Sequence, residues 1–190
     1  MAKDILEQIT EDYFRELGYF TRSNSPYRPH NVGVHSDIDV LAVHPITNEV
    51  AVISCKSWGN GININEILKT LKSDNPSKVI RGGTYLKRFR EIADEKWASA
   101  LKEEIYHLTG KHSFTFYVSV AHYKGSKDEF ENFALFKENL PDCEIKIITF
   151  KEIIKFLDKG KTDTPSQSEL VRTLQLLKVS GGIINFKETI

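Results

Sequence analysis

Apolar residues follow two periods along this chain, and the switch between them lays out its elements. From Asp4 to Leu17 the apolar positions Leu6, Ile9, Tyr13, Phe14 and Leu17 recur at helical spacing, with Asp4 placed to cap and Gly18 to stop the helix. Tyr19 and Phe20 start a short strand, and the polar stretch SNSPYRPHNVG, with two prolines, reads as a loop. Asp37–His44 then predicts a strand, PITN a turn, and Glu49–Ser57 its antiparallel partner. WGNGIN breaks the pattern. A helix follows over Asn63–Lys72, with Ile64, Ile67, Leu68 and Leu71 on one face, and Asn75-Pro76 interrupts it.

The second half alternates. A helical region runs from Ile80 to His107, with a break expected at Gly82-Gly83; Ser113–Tyr123 is rich in β-formers and predicts a buried strand. Glu129–Asn139 predicts a helix, Glu144–Phe150 a strand and Lys151–Leu157 a helix. Ser166 and Glu169 form a candidate capping box for a last helix through Lys178, Gly181-Gly182 ends it, and IINF suggests a terminal strand. This order predicts an α/β fold with a mixed sheet, antiparallel in front and joined by helical crossovers behind. Residues 1–160 read as one α/β domain. Residues 161–190 read as a C-terminal helix and tail on the same domain, reached through KGKTDTPSQ.

Composition narrows the function classes. The chain has 190 residues, 40% of them hydrophobic, which is enough for a core without staples. Lys and Arg number 26, as do Asp and Glu, so any anion site must come from local clustering. Two cysteines, Cys55 and Cys143, make no disulfide framework and suit a reducing compartment. MAKDILEQITEDYF is acidic and amphipathic, unlike a secretory leader, and no apolar run is long enough to span a bilayer. The expectation is a cytoplasmic protein with no membrane partner. The six histidines are scattered without zinc spacing, and no GxSxG elbow or phosphate loop is present.

Charged residues at the ends of the predicted hairpin do change the picture. Strand side chains alternate, so Asp37 shares a face with Asp39, and Ser54 with Lys56. A hairpin can bring these ends together. A carboxylate beside an ammonium at a sheet edge can hold a divalent metal and a water; oxygen donors suit Mg²⁺, and lysine can orient the water or steady a charged transition state.

The run HSDIDVLAVHPITNEVAVISCKSW, preceded by the helix LEQITEDYFRELGY, resembles the PD-(D/E)-x-K phosphodiesterase superfamily, which includes restriction endonucleases and Holliday-junction resolvases. The resemblance covers residues 6–58 by motif and extends to about 150 by element order. It implies a restriction-endonuclease-like fold and hydrolysis of DNA phosphodiester bonds with Mg²⁺ or Mn²⁺. Asp39 falls on the family's metal-anchoring acid, Lys56 on the closing lysine, and Glu7 on the acid of the early helix, with Glu11 as its rival one turn on. Cys55 would offer its backbone carbonyl to the metal.

Ser54 departs from the pattern, because the family places an acid there. Asp37 or Glu66 could replace it; without a replacement the site has lost a ligand. Three functions therefore stand open: a metal-dependent endonuclease, a nuclease-fold module that binds DNA without cutting, and an interaction domain with no nucleic-acid role. Between Lys69 and Arg90 seven basic residues face one acid. Lys69, Lys72, Lys78 and Arg81 could line a DNA groove with Arg22 and Arg28 as its other wall, contacts that position a backbone without reading bases. Relatives that cut both strands pair two sites, so a homodimer is a further expectation, and Leu170, Leu174 and Leu177 form an apolar stripe on the last helix.

Overall fold

The computed structural model describes residues 4–30, 32–73, 82–158 and 168–180, without the side chains of 82–84 and 178. It is an α/β fold: a five-stranded mixed sheet flanked by helices, with a helix at its N-terminal end. Helix α1 (Ile5–Glu16) is capped by Asp4, whose carboxylate accepts from the Leu6 N–H at 2.8 Å. Strands β1 (Phe20–Tyr27), β2 (Ser36–Val43) and β3 (Val50–Lys56) form an antiparallel meander. Then β5 (Thr115–Val120) and β7 (Glu144–Thr149) add in parallel, for the order β1-β2-β3-β5-β7.

The crossover from β3 to β5 carries β4 (Ile62–Asn63), α2 (Ile64–Leu71), α3 (Gly82–Arg88), α4 (Arg90–Ala93) and α5 (Glu95–Thr109). That from β5 to β7 carries β6 (Tyr123–Lys124), α6 (Lys127–Glu131) and α7 (Ala134–Asn139); α8 (Phe150–Asp158) and α9 (Glu169–Val179) follow β7.

Alternation along the strands builds a core on each face of the sheet. Val50 and Val52 of β3, Phe116 and Val118 of β5, and Ile145 and Ile147 of β7 pack with Ile64, Ile67, Phe89, Ile92, Leu101, Phe130 and Phe136 from the crossover helices. On the opposite face Val40, Ala42, Ala51 and Ile53 lie under Phe14 of α1. Leu6, Ile9 and Ile148 join Ile153, Ile154 and Leu157 of α8 and Val171 of α9 there. Among the described residues no helix is long and apolar enough to cross a membrane.

The differences from expectation have local causes. The first half of the polar segment SNSPYRPHNVG, through Tyr27, continues as β1, and the described residues from Arg28 to Gly33 are irregular as expected; β1 is the edge strand, where a proline such as Pro26 is tolerated because its missing N–H need not serve a neighbour. The long helical region divides at Phe89 and Asp94, and within the described residues it begins at Gly82, the first residue of α3. Asp94 accepts from the N–H groups of Lys96 and Trp97 at 3.0 and 3.3 Å and so starts α5 afresh. Residues 129–139 hold two helices, not one, divided at Asn132 and Phe133.

WGNGIN ends in β4, which pairs in parallel with β6. Gly61 allows this approach: its φ is +63°, and a Cβ there would sit 2.2 Å from the His122 carbonyl oxygen. The Ser168 hydroxyl accepts the Val171 N–H at 3.2 Å at the start of α9. Asn75-Pro76, the linker 159–167 with Ser166, and IINF lie outside the described residues.

Candidate active site at the end of the hairpin

The site forms where β2 parts from β3 and its pairing with β1 skips one position. The β2–β3 ladder runs from Val43 opposite Val50 to Val40 opposite Ile53 and ends there. On the other side, β1 and β2 pair at Ser23–Val40 and again at Ser25–Ile38, skipping the position between, where Asn24 takes a left-handed φ of +54°. Asp39 sits at this double interruption. Its carboxylate reaches β3, accepting the Cys55 backbone N–H at 2.5 Å. Lys56, the next residue, closes β3.

Electrostatics tie four side chains to this point. Burial raises the Asp39 carboxyl to about 6; the Cys55 N–H and the Lys56 ammonium oppose the rise, and the negative charges of Glu7 and Glu91 add to it. Glu7, in the first turn of α1, therefore lies within electrostatic reach of Asp39. Glu11, its rival, is held elsewhere: it accepts from Arg15 at 2.6 Å and from the Thr21 hydroxyl at 2.9 Å.

Sequence reasoning missed Glu91. It projects from α4, is buried, and places a carboxylate oxygen 3.8 Å from Lys56 Nζ, with side chains 9% and 12% exposed. At such low exposure the pairing matters, because neither charge is replaced by water. The signal for Glu91 was an acid inside the apolar run FREIA, whose neighbours Phe89, Ile92 and Ala93 are buried. Phe89 also lies under the lysine, its ring centroid 5.8 Å from Nζ.

Tyr27, at the end of β1, is a second residue the sequence did not flag. Its hydroxyl is buried and has no well-formed hydrogen bond among the described residues. Burial pushes its pKa up, and Glu91 and Asp39 push the same way against Arg90 and Ser36.

Other expected site residues are placed differently. Ser54 is buried beside Val118 of β5, on the Lys56 face of β3. Cys55 points to the α1 face, where burial and Asp39 push its thiol up and Thr10 bonds to it; Thr10 also pairs with Ser119 at 2.9 Å. Asp37 is exposed opposite Pro26. Glu66 accepts from the Tyr85 hydroxyl at 2.8 Å and lines a neighbouring cleft. Arg22 and Arg28 are exposed, on β1 and just past it, whereas Lys69 and Lys72 are exposed on α2 beside Glu129 of α6. Lys78 and Arg81 lie outside the described residues.

Among the described residues no three ligating side chains converge closely enough to form a ready-made metal cage. Mg²⁺ does not require one, since it takes one or two carboxylates and fills its shell with waters and phosphate oxygens. The donors fit that demand in kind: carboxylate oxygens of Asp39, Glu7 and Glu91 that act on one another electrostatically beside Lys56.

No family model matches this chain, and no curated protein matches it either. Among solved structures, AF1548, described as a protein of unknown function, is similar with a TM-score of 0.42 and 12% identity, over 93% of this chain and 97% of that one. A likeness at that level says nothing of either protein's activity.

Proposed function

We propose that this protein is a metal-dependent phosphodiesterase acting on DNA, with its site at the parted ends of β2 and β3. The observation that carries the reading is the junction of Asp39, Glu7, Glu91 and Lys56, in which one carboxylate is fixed by a backbone N–H and one ammonium sits against a buried acid. Asp39 and Glu91 would hold Mg²⁺ or Mn²⁺, with Glu7 adding charge from α1. In this arrangement Glu91 supplies the acid that Ser54 lacks. A bound divalent cation lowers the pKa of a water and offsets phosphate charge. The Cys55 N–H keeps the Asp39 carboxylate oriented, which removes a reorganisation cost from the reacting state. Lys56 Nζ positions the attacking water and faces the negative charge that develops on the phosphate.

The test is cleavage of duplex, single-stranded and branched DNA with Mg²⁺ or Mn²⁺. Asp39→Ala, Lys56→Ala and Glu91→Gln should each slow it by roughly a hundredfold or more, and Asp37→Asn should leave it intact. Equal rates in all the variants would overturn the assignment. The close Lys56–Glu91 pair favours a second reading, a module that binds DNA with the lysine held closed. It predicts salt-sensitive binding without cleavage.

A further inference from the structure

The cleft next to this site has an unassigned use. It has a volume of about 580 Å³, within the range of small-molecule sites, and lies beyond the carboxyl ends of β3 and β5, where open α/β sheets hold their ligands. Its walls are pre-formed. The Gly61 N–H donates to the Trp58 carbonyl at 2.7 Å, the Ile62 N–H to the His122 carbonyl at 3.0 Å, and β4 pairs with β6 behind them.

Its lining combines an aromatic plate with cations. The guanidinium of Arg88 lies over the Trp58 indole, Cζ 4.1 Å from the ring centroid, and Arg88 is exposed. Lys124 and His122 are exposed at the same cleft. Among the described residues its one acid, Glu66, is engaged by Tyr85. A flat ring surface with surplus positive charge matches a ligand that is planar at one end and anionic at the other. The cleft also connects to the candidate site through the backbone: the Trp58 N–H donates to the Lys56 carbonyl at 2.8 Å, and the Trp58 and Phe89 rings meet edge to face at 6.1 Å.

We propose that this cleft binds a single unstacked nucleotide of a DNA strand, its base on the Trp58 indole and its phosphate on Arg88 and Lys124. Arg88 gives up the indole to the base and turns to the phosphate. The choice of ligand rests on the phosphodiesterase reading. A strand held in this way presents its neighbouring phosphate toward Lys56, and single-stranded or flipped-out nucleotides are preferred over closed duplex.

The experiment is done with chelator, so that binding is read without cleavage. Trp97→Phe leaves Trp58 as the sole tryptophan of the chain. Titration with a mixed-sequence single-stranded oligonucleotide should quench its emission saturably, and a blunt duplex of the same sequence should quench it less. Polarisation of a labelled oligonucleotide on the chain with both tryptophans gives a second readout, in which Arg88→Ala or Lys124→Ala should raise Kd roughly tenfold. Unchanged emission, or affinity equal to that of the parent chain in both variants, overturns the proposal. The two readings fail separately. Quenching without metal-dependent cleavage removes the enzyme and keeps the cleft, and cleavage without quenching does the reverse.

Discussion

Asp39 is held in a state that costs stability. Its carboxyl titrates near 6 when folded, against an ordinary value of 3.8. Between those pH values the folded chain binds a proton that the unfolded chain does not, so stability falls as pH rises from about 4 to about 6 and then levels off. A shift of this size corresponds to about 3 kcal/mol at most. Asp39→Asn can still accept the Cys55 N–H and carries no charge. In chelator it should stabilise the protein at pH 7.5 by about 1–3 kcal/mol and give little gain at pH 4, as read by urea unfolding. An equal effect at both pH values would mean that the acid is not loaded in this way. Glu91 invites a rescue experiment: Glu91→Gln should abolish cleavage, and adding Ser54→Glu should restore part of it, since Ser54 shares the Lys56 face. Asp39 and Lys56 stood out in the sequence as charged residues on the two strands of a predicted hairpin, and the structure forms that hairpin. Glu91 did not, because the chain between it and Lys56 must fold back before the two can meet, and no local period records that return.

At the scale of elements, the long helices and central strands were read correctly because their apolar spacing is dictated by burial on one side. The failures lie where burial gives no rhythm: β1 on the exposed edge, and the divided helices, whose breaks depend on a cap. The β4–β6 ribbon belongs with these, since two residues show no period and its cue was a glycine. Gly61 tests this directly. Alanine there must adopt a positive φ and move the His122 carbonyl, so Gly61→Ala should destabilise by about 1–3 kcal/mol and loosen the cleft. Gly59→Ala, which meets nothing within 4 Å, should stay within about 0.5 kcal/mol. Thermal unfolding of the pair decides whether the ribbon is under this constraint.

Over the whole molecule, α9 completes the core on the α1 face. Val171 is buried against Leu6, Ile9 and Ile154, Leu170 and Leu174 pack at its border, and Ser168 bonds to Asp12 of α1. Most of the stripe that suggested a dimer surface is therefore turned inward; Leu177 remains exposed. Val171→Ala should cost about 1.5 kcal/mol of stability, and Leu177→Ala next to nothing. A Leu177→Ala effect larger than that of Val171→Ala, together with a change in sedimentation, would show instead that the helix end joins two copies.

The stretch from Tyr85 to Ala93 touches both the candidate site and the neighbouring cleft. Tyr85 and Arg88 border the cleft, Phe89 underlies the lysine, and Glu91 grips it. One short length of chain thus acts like a key cut on two edges. Slipping it by a single residue would displace Arg88 from the Trp58 ring and Glu91 from Lys56 together, so the two proposals place their demands on the same few residues.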